Sequence, residues 1–347
     1  MKGFVTNLIV NITDLDDKIF EKAEMEGIDF EDLAERYTQE FITSLERLKI
    51  NSINSFHKAS NYLNEIEYQI DHLIKNGHAY QVDGDIFFDV SSFPDYGLLS
   101  NQTPYELMLR RLNPDPKKRD QRDFLLWRSG IGKPQYFKSK FGIGQPGWHI
   151  EDTAISLSVF RGGYDIHGGA VDLVFPHHEA EIAQGESFIS HHPFVKYWIH
   201  TGLLFLEGEK MSKSLGNTIS LKDALDQWDP DVLKLCLLSR HYRETFNLRR
   251  NDIKDFEGQV TLIRNTVKRL RKRVIDSRRD HNNSNVKTRF QNHISNFYGS
   301  LENDLDIPKA LNALIFLIRA VDKDMADVNQ DLLNELLKML AILGLEA

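Results

Sequence analysis

The stretch from Gly144 to Glu181 constrains this chain more than any other. Side chains able to bind a metal, an amine or a ribose are crowded there among glycines. It opens Gly144-Gln-Pro-Gly-Trp-His-Ile-Glu-Asp152 and closes Asp165-Ile-His-Gly-Gly-Ala-Val-Asp-Leu-Val-Phe-Pro-His-His-Glu-Ala-Glu181. Pro176 can start a helix, because its missing N–H would be an unpaired donor at that position anyway. His177 and Glu181 are then four residues apart and share one helix face, as two ligands of one metal require. A His-His-Glu-x-Glu run alone is equally well a polar, solvated helix start. The glycine-rich segment just before it makes a built site the better reading.

Much of the rest is bounded by composition. With 347 residues, 41% hydrophobic and 27% charged, the chain can bury a large core, and one big domain plus a smaller one is expected. The formal charge of -8 gives no global basic field for nucleic acid, so a partner such as tRNA would need a local basic surface. Cys236 is the single cysteine, which excludes an intramolecular disulfide and a thiolate metal cluster. It lies in the apolar run Val232-Leu-Lys-Leu-Cys-Leu-Leu and reads as a buried structural thiol. No apolar run approaches a membrane span and no signal-peptide pattern leads the chain, so a soluble cytoplasmic protein is expected.

Taken in order, Phe4-Val-Thr-Asn-Leu-Ile-Val10 reads as a buried strand. Thr13 and Asp14 would follow its C-terminal end, the edge where open parallel sheets bind ligands. Helical spacing predicts packing helices over Glu31–Ile50 and Asn61–Lys75, the second ending at Gly77. Asp85–Val90 reads as a strand, Tyr96–Ser100 as a turn, Arg110–Arg122 as an exposed loop, and Asp123–Trp127 as a return to the core. Glu207-Gly208 reads as a turn leading into Lys210-Met-Ser-Lys-Ser-Leu-Gly-Asn217. Lysine is a compact charge on a flexible stem, suited to following the phosphates of a triphosphate as charge develops on them. Two lysines flanking a small hydroxyl residue after a short hairpin are a strong signal for that work.

Asp229-Pro230 supplies a helix cap and a proline at the first helical position. From there the chain reads as helical to the end: Val232–Arg240, Ile253–Asp276, Phe290–Asn303, Pro308–Lys323 and Leu332–Leu343. A polar linker over Asp276–Lys287 divides the set. Lys and Arg crowd the run from Arg264 to Arg279, with Asp276 the only acid. Such a run is ordinarily a solvated helix face; as a local patch it can also contact a nucleic-acid backbone.

With these segments in hand, the chain resembles cysteinyl-tRNA synthetase, a class I aminoacyl-tRNA synthetase, from about Phe4 to Leu343. The matching segments are Asn-Ile-Thr-Asp-Leu-Asp-Asp-Lys18, Pro-Gly-Trp-His-Ile-Glu151, Asp-Ile-His-Gly-Gly169, Phe-Pro-His-His-Glu-Ala-Glu-Ile-Ala-Gln184 and Lys-Met-Ser-Lys-Ser-Leu-Gly-Asn217. The resemblance implies an α/β fold. A Rossmann-like parallel-sheet catalytic domain over residues 1–228 is followed by an all-α helical bundle of the tRNA-stem-contacting type over 229–347. It also implies ATP-dependent activation of cysteine to an adenylate and transfer to the tRNA 3′ end, with ATP and Mg2+ as the nucleotide pair. Lys210 and Lys213 would hold the triphosphate and stabilise the departing pyrophosphate. Gly168, Gly169 and Asp172 would lie against the adenosine and the amino-acid ammonium, and Thr13, Trp148 and His149 would line the cysteine pocket. His177 and Glu181 would be zinc ligands, the zinc gripping the substrate thiolate and so refusing serine.

This sequence departs from the family pattern in three places. Asp152 stands where the family has a zinc cysteine, so Asp152, His177 and Glu181 would form a harder site, less selective for Zn2+. The first β-α unit, with a second zinc cysteine and the His-Ile-Gly-His-like ATP segment, is not in the sequence. Neither is the small terminal anticodon-binding module. Two further functions are therefore weighed: a catalytically impaired paralogue that binds tRNA or a protein partner, and a cysteine ligase acting on a small-molecule amine. The intact lysine segment favours the tRNA ligase.

Overall fold

The computed structural model describes residues 3–103, 114–130, 136–211, 218–276, 286–325 and 328–346. These form two compact units, one of Met1–Gln39 with Ser52–His200, the other of Glu40–Asn51 with Thr201–Ala347. Among the described residues no helix is long and apolar enough to cross a membrane.

The first unit begins with a parallel pair. Strand β1 (Ile9–Ile12) runs beside β2 (Ser55–Lys58), with Ile9 opposite Ser55 and Ile12 opposite Lys58. The expected strand over Phe4–Val10 is thus shifted toward its C-terminal end. Phe4 and Val5 are exposed, and β1 runs only as far as β2 pairs with it. Helices α1 (Asp17–Glu26) and α2 (Phe30–Arg47) connect the two strands. Asp16 caps α1 by accepting a hydrogen bond from the Lys18 amide, and Gly27 ends it at φ 67°, a conformation that favours glycine. Helix α3 (Leu63–Lys75) follows with Ile66, Ile70 and Leu73 buried on one face.

Next comes a five-stranded antiparallel sheet, of which the sequence predicts the strand at Asp85–Val90. Its strands are β3 (Ala79–Val82), β4 (Asp85–Phe88), β5 (Phe124–Ser129), β6 (Phe137–Ser139) and β7 (Gly142–Pro146), in the order β3-β4-β5-β7-β6. Phe88, Phe124 and Leu126 of this sheet pack in one core with Ile66 and Ile70 of α3. Burying such a side chain fully stabilises the fold by roughly 1.5–3 kcal/mol. Helix α4 (Trp148–Phe160) adds Ile150 and Ala154 to that core. Its start at Gly147 lies so close to β5 that a Cβ there would sit 2.1 Å from the Leu125 carbonyl oxygen. Only glycine permits that approach. Strand β8 (Tyr164–Ala170) pairs with β9 (Val195–Thr201), and α5 (Glu179–Ile189) lies between them in the chain.

In the second unit, β10 (Leu204–Leu206) pairs antiparallel with β11 (Glu209–Lys210) and parallel with β12 (Phe246–Leu248). Glu207 and Gly208, at φ 53° and 90°, make the hairpin turn read from the sequence. The helices are α6 (Leu221–Gln227), α7 (Pro230–Leu238), α8 (Arg250–Asp276), α9 (Val286–Glu302), α10 (Ile307–Lys323) and α11 (Gln330–Ile342). Asp229 caps α7 through the Asp231 amide at 2.9 Å, with Pro230 next, as expected. One apolar core joins Val232, Leu235, Ile263, Leu270, Phe297, Leu314 and Leu336. Residues 201–228 fall in this unit, ahead of the 229 limit read from the sequence, because β10 pairs with β12 and Leu206 packs into the helical core. The pairs β1-β2 and β10-β12 are parallel.

Candidate active site and cation centre

The helix carrying His177 and Glu181 starts sharply. Phe175 is extended, at φ -133° and ψ 131°, and from Pro176 onward the chain turns helical into α5. That matches the proline-led start read from the sequence and drops His177, His178 and Glu181 onto buried ground. In the first unit, β1 with the residues on either side of it, α4, β8 and this turn line a cavity of about 440 Å³. Thr13, Trp148, Asp152, Gly168, His167, His177 and His178 all face it.

Glu181 is the centre of the arrangement. Its side chain is fully buried and neither carboxylate oxygen accepts a hydrogen bond. Leaving such an acceptor unsatisfied costs about 1–3 kcal/mol, more when it is charged. Around its Oε2 stand three imidazole Nε2 atoms, of His167 at 3.6 Å, His178 at 3.8 Å and His177 at 3.9 Å. Each of the three rings is held by its other nitrogen. His167 Nδ1 shares a hydrogen bond with the Tyr164 hydroxyl at 2.5 Å, His178 Nδ1 with His200 Nε2 at 2.8 Å, and His177 Nδ1 with His149 Nδ1 at 2.7 Å. Fixing one ring nitrogen fixes the tautomer and aims the other, as in histidines that ligate metals.

The electrostatics follow from burial. Desolvation, with the Asp152 charge adding, pushes the Glu181 carboxyl well above the usual carboxylate range. Desolvation and neighbouring imidazoles lower His178 to about 2, and desolvation lowers His167 to about 4. Both imidazoles are therefore neutral near pH 7, the form that has a lone pair to give. A bound cation would offset the cost of ionising Glu181 and would give its oxygens a partner. The donors present therefore fit a divalent ion.

The residues singled out from the sequence divide as follows. Asp152 Oδ2 lies 2.7 Å from His177 Nε2, and Asp152, His177 and Glu181 offer ligand atoms within 4.8 Å of one another. Asn11 donates to the other Asp152 oxygen at 2.6 Å. Trp148 stacks on His177 with ring centroids 4.0 Å apart, and Thr13 lines the same cavity. His149 does not line it; it sits behind His177, and its carbonyl accepts from Gln184. Gly168 faces the cavity with room for a Cβ, whereas a Cβ on Gly169 would lie 2.7 Å from the His178 ring. Gly169 thus makes space for an imidazole. Asp172 is exposed in a short turn and lies outside the cavity lining. Lys210 closes β11, while Lys213 lies outside the described residues.

Sequence reasoning noted His167 and His178 but gave them no role, and it missed Tyr164 and His200. The i, i+3 spacing of His178 and Glu181 was a usable signal. Nothing local marks His200, which arrives from a different strand. The basic run is also less free than its composition suggests. Arg264 is bound to Asp229 at 2.8 Å and to Asp231 at 2.7 Å, and Arg269 is paired with Asp322. Lys268, Arg271 and Lys272 remain exposed along α8.

The chain has clear relationships to known proteins. The family model described as tRNA synthetases class I (C) catalytic domain matches residues 1–258, which places the chain among the class I synthetases. The fold agrees. A Mycobacterium tuberculosis methionyl-tRNA synthetase solved with methionyl-adenylate superposes with a TM-score of 0.67 at 15% identity, covering 99% of this chain and 82% of that one. Cysteine–tRNA ligase of Thermodesulfovibrio yellowstonii is 37% identical over 93% of this chain and 68% of its own length. That of Thermoplasma volcanium is 35% identical over 98% of this chain and 73% of its own. The chain belongs to the cysteine–tRNA ligase family.

Proposed function

We propose that this protein activates cysteine with ATP and passes the cysteinyl group to the 3′ end of a tRNA, working in the cytoplasm with Mg2+ as the nucleotide's counter-ion. Family membership supports the reaction, and the cavity around Trp148, Asp152 and His177 supports its location. The substrate carboxylate attacks the α-phosphorus of ATP and pyrophosphate leaves; a terminal ribose hydroxyl of the tRNA then displaces AMP. Adenylation needs no general base, since a carboxylate is already a nucleophile, and orientation does most of the work. Thr13 and Trp148 bound the amino-acid pocket, and His149 holds the His177 ring in place. Gly168, Gly169 and Asp172 are assigned to the adenosine and the ammonium. Lys210 and Lys213 are assigned to the triphosphate, where a flexible cation can follow the charge onto pyrophosphate.

Asp152, His177 and Glu181 would hold a divalent cation such as Zn2+, which when bound supplies a Lewis acid for a substrate thiolate. With an oxygen donor from Asp152 in place of sulfur, this set is harder than a thiolate site and discriminates metals less. The domain assignment follows the same reading: residues 1–228 for catalysis and 229–347 for the tRNA stem. The exposed Lys268, Arg271 and Lys272 offer a local basic face for its phosphates. Charging of tRNA with radiolabelled cysteine tests the reading. Wild type should charge, and Lys213→Ala should lose most of the rate while retaining cysteine binding. Unchanged charging by Lys213→Ala would remove the triphosphate role.

A further inference from the structure

Glu181 belongs to two donor triads that share no other residue. One is Asp152–His177–Glu181; the other is His167–His178–Glu181, again with ligand atoms within 4.8 Å of one another. We propose that the second triad is a cation site in its own right, of two imidazoles and one carboxylate, and that it takes a zinc-class divalent ion without help from Asp152 or His177. The donor chemistry carries this. Two histidines and one glutamate are the three protein ligands of one type of zinc site that keeps a position open. Imidazole suits Zn2+ and its neighbours, whereas carboxylates suit harder ions, so the two-imidazole triad is the better match to a borderline-soft metal.

Geometry carries it further. The Nε2 atoms of His167 and His178 lie 3.6 and 3.8 Å from Glu181 Oε2. Ligands at tetrahedral angles on zinc, with bonds near 2.0–2.1 Å, stand about 3.3 Å apart, so both histidine-to-glutamate distances are within about half an ångström of what an ion needs, and all three ligand atoms lie within 4.8 Å of one another. His178 is buried and His167 nearly so, and their outer nitrogens are already held by His200 and Tyr164. Trp198 lies against both rings, at centroid distances of 4.7 and 4.9 Å, and restricts their rotation. The absence of a side chain on Gly169 is what lets His178 reach this position. Both triads open onto the same cavity, which gives an ion and an exchangeable ligand a way in. The site stands on these distances alone and does not depend on the ligase reading.

The test removes the other triad. Tag-free, chelator-stripped protein carrying Asp152→Asn and His177→Gln is titrated with Co2+, followed by its visible absorption and by equilibrium dialysis. One Co2+ per chain should bind, and Cu2+ in its place should show two coupled imidazoles by electron spin-echo spectroscopy. Adding His178→Gln, or His167→Gln, to that background should abolish binding, with far-UV circular dichroism unchanged. Failure of the first double variant to bind Co2+ while still folded would overturn the proposal. So would a triple variant that binds as before. None of these readouts involves aminoacylation, so a negative result here leaves the proposed reaction standing, and a failed charging assay leaves this site standing.

Discussion

His177 Nε2 lies 2.7 Å from Asp152 Oδ2. The pair joins α4 to the start of α5 through one contact between a carboxylate and an imidazole. Replacing the carboxylate by a thiolate softens the site without moving its other members. Asp152→Cys should therefore bind Zn2+ about tenfold tighter or more, a gain of at least about 1.4 kcal/mol, by competition against a chromogenic chelator. Its Co2+ form should also show sulfur-to-metal charge-transfer absorption. An unchanged zinc affinity would mean that residue 152 does not ligate.

Glu179 anchors the same helix from its other side. Its buried carboxylate accepts hydrogen bonds from the amides of Gly97 at 3.0 Å and Ser100 at 2.6 Å. Glu179→Ala would leave two N–H groups without an acceptor, at a cost of about 3–5 kcal/mol. Glu179→Gln keeps one acceptor and should cost roughly half as much. Urea denaturation of the two variants measures the difference, and equal stabilities would show that the loop does not depend on this contact.

How much of this could be read from the sequence differs from element to element. The α helices from Pro230 onward announced themselves through period-3.6 apolar spacing and through caps such as Asp229-Pro230, because those signals are local; α6 did not. His177 and Glu181 were legible for the same reason, being four apart on a helix. The antiparallel sheet, apart from its strand at Asp85–Val90, was not. Its strands are short, β7 carries two glycines in five residues, and the pairing of β4 with β5 joins residues some 40 positions apart, as Ile86 opposite Trp127. Alternation over three to six residues is too brief a pattern to read. The Glu181 surroundings failed in the same way, since His200 and Tyr164 reach it only through the β8-β9 pair. Phe4 and Val5 look like core residues and are exposed; apolar composition alone placed them wrongly.

Cys236 gives a test of pH dependence away from the site. Burial pushes its thiol up to about 11, with the Asp252 charge adding and Arg240 opposing. Between about 9 and 11 the unfolded chain releases this proton while the folded chain keeps it. The folded state then binds more protons, so this thiol's contribution to stability is full below pH 9 and is lost as pH rises toward 11. Urea midpoints measured across that window should fall more steeply for wild type than for Cys236→Ala. At pH 8, a disulfide reagent should react far more slowly with the native protein than with the protein in urea. Rapid native reaction would contradict the buried, protonated thiol.

Cysteine-dependent exchange of radiolabelled pyrophosphate into ATP is the experiment to run first, with serine and no amino acid as controls and bound metal assayed on the same sample. Exchange with cysteine and not with serine is the predicted result, and it would show that adenylation is carried out by these residues. Absence of exchange from folded, metal-loaded protein would contradict the ligase reading.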